Sequence, residues 1–219
     1  MHTSPAPFAD RHDAGKQLAA LLAARRFDRP VVYALPRGGV PVGLEIARAL
    51  RAPLDLVMVR KIGAPGAPEL ALGALVEGDA SVSIINQDVR AATGADAAFL
   101  AAAAARETVE IERRRALYLR DRTRISPAGH TAIVVDDGLA TGATAKAALA
   151  ALRRQGATHT VLAVPVAPQD AIADMRAHAD DVVCLHEAAW FPGVGAFYAD
   201  FHQLTDDETI ALLRRAPTA

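Results

Sequence analysis

Residues 133–144 read Ile-Val-Val-Asp-Asp-Gly-Leu-Ala-Thr-Gly-Ala-Thr. The β-branched run Ile133–Val135 predicts a strand buried on both faces, as in the middle of a parallel sheet. It ends in two adjacent carboxylates, Asp136 and Asp137. A turn follows with glycines at 138 and 142 and threonines at 141 and 144. Ala145-Lys-Ala-Ala-Leu-Ala-Ala-Leu152 then has strong helix propensity, closed by Gly156 as a C-terminal cap. Strand, acidic pair, glycine turn and helix together aim backbone N–H groups and two hydroxyls at a helix N-terminus, which is an anion site. The two acids repel a phosphate, so they suit a polyol or a divalent metal beside it. A sugar phosphate meets both needs, with its phosphate in the turn and its hydroxyls on the acids. Other phosphate loops fail: G-x-x-x-x-G-K-[ST] breaks at Ala143, and neither G-x-G-x-x-G nor G-x-S-x-G occurs.

The hydrophobic run with DDGLATGAT resembles the phosphoribosyl-diphosphate-binding motif of the type I phosphoribosyltransferases. The resemblance implies an α/β fold, a doubly wound and mostly parallel sheet with a flexible flap and a small C-terminal hood. Against it stands an ordinary strand–turn–helix whose acids merely cap the helix, although one N-cap needs only one acid.

Working outward, Val31–Leu35 predicts the first central strand and Pro41–Leu50 a helix. Pro36-Arg-Gly-Gly39 between them is a second glycine turn, tipped by Arg37. In the family the pyrophosphate loop lies here, so Arg37 with the Gly38 and Gly39 amides would take the diphosphate. An unusual backbone is expected near Pro36–Arg37. Asp55–Lys61 predicts a strand ending in Arg60 and Lys61. Ile62–Glu69 is rich in Gly and Pro and has no period. The resemblance makes Gly63–Glu69 a mobile flap, with Lys61 placed for the diphosphate. The chain then returns through Leu72–Val76 and Ser81–Ile85.

Short helices are expected over Ala14–Ala24 and Asn86–Ala92, after residues 1–12 that read as loose. A long helix should run from Asp96 to about Arg120. Its basic segment, Arg113-Arg-Arg115, finds helical partners in Glu110 and Glu112. It reads as a solvated face, with a subunit interface or polyanion contact as the rival. Thr160–Pro165 predicts a strand, Pro168 to about Ala179 a helix, and Val182–Leu185 the last strand. Residues 190–201 hold five of the ten aromatics, and Thr205-Asp-Asp-Glu208 is a capping box for a final helix to about Arg215. The family covers its acceptor with a hood, so Trp190, Phe191, Phe197 and Tyr198 are hood candidates. The rival reading is that these rings only pack the tail. One domain is expected over 1–219, with a core of about 13–187 and a hood of 188–219.

The 219 residues are 52% hydrophobic and 22% charged, in the globular range. A formal net charge of −1 gives no global field for nucleic acid or membrane. Cys184 stands alone, which excludes an internal disulfide framework. No apolar leader or spanning stretch is visible, so a cytoplasmic protein is expected.

The resemblance implies transfer of ribose 5-phosphate from phosphoribosyl diphosphate to a base-like acceptor, with Mg2+ as cofactor. Asp136, Asp137, Arg37 and Lys61 would carry the chemistry, and the two acids would hold the metal, directly or through water. Pro36, Arg37, Gly38, Gly39, Arg60, Lys61 and the run Asp136, Asp137, Gly138, Leu139, Ala140, Thr141, Gly142, Ala143 and Thr144 would bind substrate. Enzymes for 6-oxopurines carry an aspartate where this chain has Ala140, which argues against hypoxanthine or guanine. The Leu-Ala-Thr-Gly wording resembles the adenine enzymes. The chain from about Asp10 to Glu208 resembles a group carrying LPRGGVPVG and VRKIGAPG segments, whose acceptor is unassigned. A homodimer would be in keeping with the family. The alternative is a non-catalytic protein of the same fold that binds the sugar diphosphate or a nucleotide.

Overall fold

The computed structural model describes residues 7–78, 84–120 and 122–218. In chain order the elements are α1 (Arg11–Ala23), β1 (Pro30–Ala34), α2 (Gly39–Leu50), β2 (Leu54–Leu56), β3 (Val59–Ala64), β4 (Ala67–Val76) and β5 (Ile84–Ile85). There follow α3 (Gln87–Thr93), α4 (Ala97–Leu119), β6 (Thr131–Val135), α5 (Ala143–Arg154), β7 (His159–Pro168), α6 (Gln169–Met175), β8 (Asp181–Ala188), a 3-10 turn (Val194–Phe197) and α7 (Asp206–Leu213).

Five strands form a parallel sheet in the order β2-β1-β6-β7-β8. Its strands read as apolar runs because both faces are covered. Val32, Ala34, Ile133 and Val135 pack with α1, α2, α4 and α7. Val31, Tyr33, Ala132 and Val134 pack with α5 and α6 on the other face. This is the doubly wound α/β sheet that the sequence predicts. Pro41 sits in the first turn of α2, where a missing N–H costs nothing. Thr205 and Glu208 form the expected capping box of α7.

Two expectations change. The run Asp55–Lys61 is not one strand: β2 ends at Leu56, and β3 starts at Val59 in a second, antiparallel sheet β3-β4-β5. An unbroken apolar run cannot reveal that the chain changes partners at Val57-Met58. Gly63–Glu69 is no irregular loop either, but the end of a β-hairpin turning at Gly66, whose φ is +69°. Register shifts on either side of Gly63, together with small residues throughout, hide the strand period. The Ser81–Ile85 return is described only at Ile84–Ile85, with Ser81–Ser83 outside the described residues. The N-terminal segment is not loose from residue 7 on. Phe8 is buried, bridges to Tyr198, and donates its N–H to the Phe197 carbonyl.

Candidate active site at the crossing point of the sheet

β1 and β6 are neighbours, yet the chain leaves β1 toward β2 and leaves β6 toward β7. Their carboxyl ends therefore open a crevice, the place where α/β sheets bind ligands. Both glycine turns lie there. The Leu35 N–H donates to the Val135 carbonyl at 2.8 Å, which carries the pairing past the strand ends. A methyl group on Gly39 would fall 2.4 Å from the Val135 carbonyl oxygen, and one on Gly38 2.2 Å from an Asp137 carboxylate oxygen. The peptide between Pro36 and Arg37 is cis, the unusual backbone expected there.

The second turn leads into an uncapped helix start. Gly142, at φ +73°, is the N-cap of α5, and no side chain caps the helix. The first-turn N–H groups have no partner within the helix by geometry. Thr141, Ala143, Thr144 and Lys146 of this helix start border a cavity of about 450 Å³, with Lys61, Ala71 and Gly73 of the hairpin also lining it. Not every residue of the motif borders that cavity. The Leu139 N–H donates to the Val166 carbonyl at 2.9 Å, and the Leu139 side chain is buried. Gly138 lies under Val194 of the 3-10 turn, where a methyl group would come within 2.4 Å. Ala140 is exposed.

The two acids have different surroundings. Asp136 lines a cavity of about 200 Å³ with Pro36, Arg60, Arg114 and Thr144. Burial and then the Asp137 charge push its carboxyl well above the ordinary carboxylate range. Burial raises Asp137 as well, and Arg11 opposes it. The Arg11 Nε–H donates to Asp137 Oδ2 at 2.7 Å. Its Nη1–H donates to the His202 carbonyl at 3.0 Å, and its guanidinium lies 3.8 Å from the centre of the Phe201 ring. The Tyr198 hydroxyl donates to the Asp137 carbonyl. So one acid faces the crevice and the other fastens α1 and the C-terminal tail. Sequence reasoning missed Arg11 because its partners are 126 and 191 residues away.

The cations sort in the same way. Arg37 Nη1 lies 3.4 Å from Asp206 Oδ1, in a cavity of about 360 Å³ shared with Arg113, Arg114 and Tyr118. Tyr118 donates to the same oxygen at 2.6 Å, and burial first, then Asp206, pushes its hydroxyl pKa up to about 12. Arg60 donates to Glu107 at 2.8 Å and borders the Asp136 cavity. Lys61 donates to the Glu69 carbonyl at 3.3 Å and faces the Thr141–Thr144 turn, not Arg37. The Gly39 N–H is engaged by the Leu35 carbonyl at 2.9 Å. Arg115 turns away, half-buried against Asp55 and Glu77. Among the hood candidates, Phe197 and Tyr198 are buried and pack the tail, Phe191 is half-buried against Phe197, and Trp190 is 79% exposed.

Among the described residues, no group of three or more His, Cys, Asp and Glu side chains is arranged to hold a metal ion. A Mg2+ carried largely by substrate oxygens needs only one or two protein carboxylates. Asp136, facing a cavity with its charge crowded by Asp137, fits that need; Asp137, engaged by Arg11, fits it less well. Among the described residues, no helix is long and apolar enough to cross a membrane.

Comparison with known proteins places the chain in a family. The family model of the phosphoribosyl transferase domain matches residues 9–202. A protein of Mycobacterium tuberculosis H37Rv, provisionally named a phosphoribosyl transferase, is 49% identical over 209 residues, covering 95% of this chain and 47% of its own length. Its counterpart in strain CDC 1551 gives the same figures. The chain thus spans about half the length of the curated relatives it matches. The crystal structure of a Thermus thermophilus protein superposes with a TM-score of 0.82 at 43% identity, covering 94% of this chain and 97% of that one.

Proposed function

This chain belongs to the phosphoribosyl transferase family, and on that premise we propose that it transfers ribose 5-phosphate from phosphoribosyl diphosphate to a nitrogenous, base-like acceptor, releasing diphosphate. One observation carries the reading. A row of cavities runs along the carboxyl edge, from Arg37 past Asp136 to the uncapped start of α5. Consecutive cavities share residues: Pro36 and Arg114 border the first two, Val59 and Thr144 the last two. That order matches diphosphate, pentose and 5-phosphate.

The roles follow from chemistry. The 5-phosphate takes the amides of the first turn of α5 and the hydroxyls of Thr141 and Thr144, with Lys61 and Lys146 supplying charge. Asp136 accepts from a ribose hydroxyl. Asp137 holds the wall behind it through Arg11. Arg37, with Arg60 beside the middle cavity, stabilises the charge that grows on the diphosphate as the C1 bond breaks. Asp136 would hold Mg2+ through water, and that ion would neutralise the diphosphate when bound. The hairpin that carries Lys61 covers the cradle and shields the cation-like C1 centre from water. Trp190 offers an exposed ring on which a planar acceptor can stack. The phosphorylated donor does not cross membranes, which supports a cytoplasmic setting.

The test is incubation of the protein with phosphoribosyl diphosphate, Mg2+ and a panel of nitrogenous bases, assaying diphosphate and ribosylated product. Release that depends on one base is the expected result. Release with no base would instead make the protein a hydrolase. Tight binding with no release for any base would favour a non-catalytic sensor.

A further inference from the structure

Arg113 and Arg114 read in the sequence as part of a solvated helix face. The fold turns them toward Arg37. All three border the cavity of about 360 Å³ between α4 and the start of α7, and Arg114 also borders the Asp136 cavity next to it. Glu110 serves both α4 arginines, at 2.8 Å from Arg113 and 2.7 Å from Arg114. Asp206 serves Arg37. Three guanidinium groups thus meet two carboxylates in one place. Asp206 is not needed at the helix start, because Thr205 and Glu208 already cap α7. Its carboxylate instead takes the Tyr118 hydroxyl and the Arg37 guanidinium. It is half-exposed and held to Arg37 only at 3.4 Å, a long contact for an ion pair.

Resting on the phosphoribosyl reading above, we propose that this cavity seats the leaving diphosphate, that Arg114 binds it together with Arg37, and that the Asp206 carboxylate fills part of the seat until the diphosphate displaces it. Displacing Asp206 leaves three guanidinium groups against Glu110 alone. Their planar forks match phosphate oxygens in pairs. Helix α4 is then a wall of the site, and Arg114 spans the step from the diphosphate cavity to the pentose cavity. Tyr118, released from Asp206, can donate to the incoming anion.

The test is calorimetric titration with inorganic diphosphate. Arg114→Ala should weaken binding about tenfold, the loss of one charge-assisted contact. Arg114→Lys should recover only part, lacking the fork. Asp206→Asn should tighten binding several-fold, a change of sign that structural damage would not give. Arg106→Ala, exposed on the same helix, should bind as the wild type does and controls for lost charge. Thermal melts check that each variant folds, and Asp206→Asn keeps the proposal testable if Arg114→Ala does not. Wild-type affinity in both Arg114→Ala and Asp206→Asn, with Arg37→Ala weakened, overturns the proposal and leaves the family reading standing. Failure of the wild-type protein to bind diphosphate, or unchanged binding in Arg37→Ala, strikes the phosphoribosyl reading itself.

Discussion

The chain builds strand, glycine turn and helix twice, at β1–α2 and at β6–α5, and uses the glycines differently each time. At β1–α2 they let two loops touch: methyl groups at 38 and 39 would land on Asp137 and on the Val135 carbonyl. At β6–α5, Gly142 sets a left-handed turn that opens the uncapped start of α5 to a cavity. The first turn packs its glycines against the neighbouring loop while Pro36 and Arg37 border one cavity, and the second turn opens a helix start to another. A local pattern therefore fixes the shape of a turn, while its position in the sheet decides what its glycines face.

The largest expected effect breaks this contrast at Gly39. Gly39→Ala sets a methyl against a main-chain carbonyl at 2.4 Å, which cannot rotate away. We expect a loss of about 3 kcal/mol, the upper end for overpacking. Gly142→Ala meets the end of the Met175 side chain at 3.1 Å and the Leu139 side chain at 3.4 Å, at a φ of +73°. It should cost about 1 kcal/mol, the usual strain of a side chain in that region. Denaturant titration of both variants measures this. Equal losses would remove the distinction between the two units.

Next come the acids. Asp137→Asn leaves Arg11 with the His202 carbonyl and Phe201 but without its ion-pair partner. It should cost about 2 kcal/mol, below the roughly 3–5 kcal/mol of a fully stranded buried charge. Asp136→Asn removes a carboxylate crowded by its neighbour, so stability should hold, while affinity for the sugar-phosphate donor falls about tenfold. The reverse pattern would return the ribose contact to Asp137. Thr144→Val is milder: it should weaken donor binding several-fold with no change in melting temperature, since Thr144 is exposed.

The parallel sheet, its helices and the glycine turn before α5 were legible because periodicity and turn chemistry are local. The acid pair was legible as a pair. Its division of labour was not, because Arg11 arrives from the other end of the chain and carries no local signal. The hairpin was hidden by Gly63, Gly73 and the surrounding alanines, which erase the alternation of a strand. Arg113 and Arg114 were legible only as charge, since the packing of α4 beside α7 turns them toward Arg37. Phe197 and Tyr198 were drawn into the core by Phe8, a partner that no pattern near residue 197 announces.

The smallest effect tests the far end of the Asp137 clamp. The His202 carbonyl receives Arg11, while the imidazole lies 3.1 Å from Asp200 and 3.3 Å from Glu208. The Asp200 hydrogen bond first, then the charges of Asp200 and Glu208, raise the His202 pKa above its ordinary value. A proton held more tightly in the folded state stabilises the fold fully below the unfolded value of about 6.5, and that gain is lost as pH rises through the folded value. The wild-type melting temperature should therefore drop slightly more between about pH 6 and about pH 8 than that of His202→Gln, by a small margin because the ring is exposed. If the two proteins track each other across that range, the imidazole does not tune the clamp, and Arg11 depends on the His202 backbone alone.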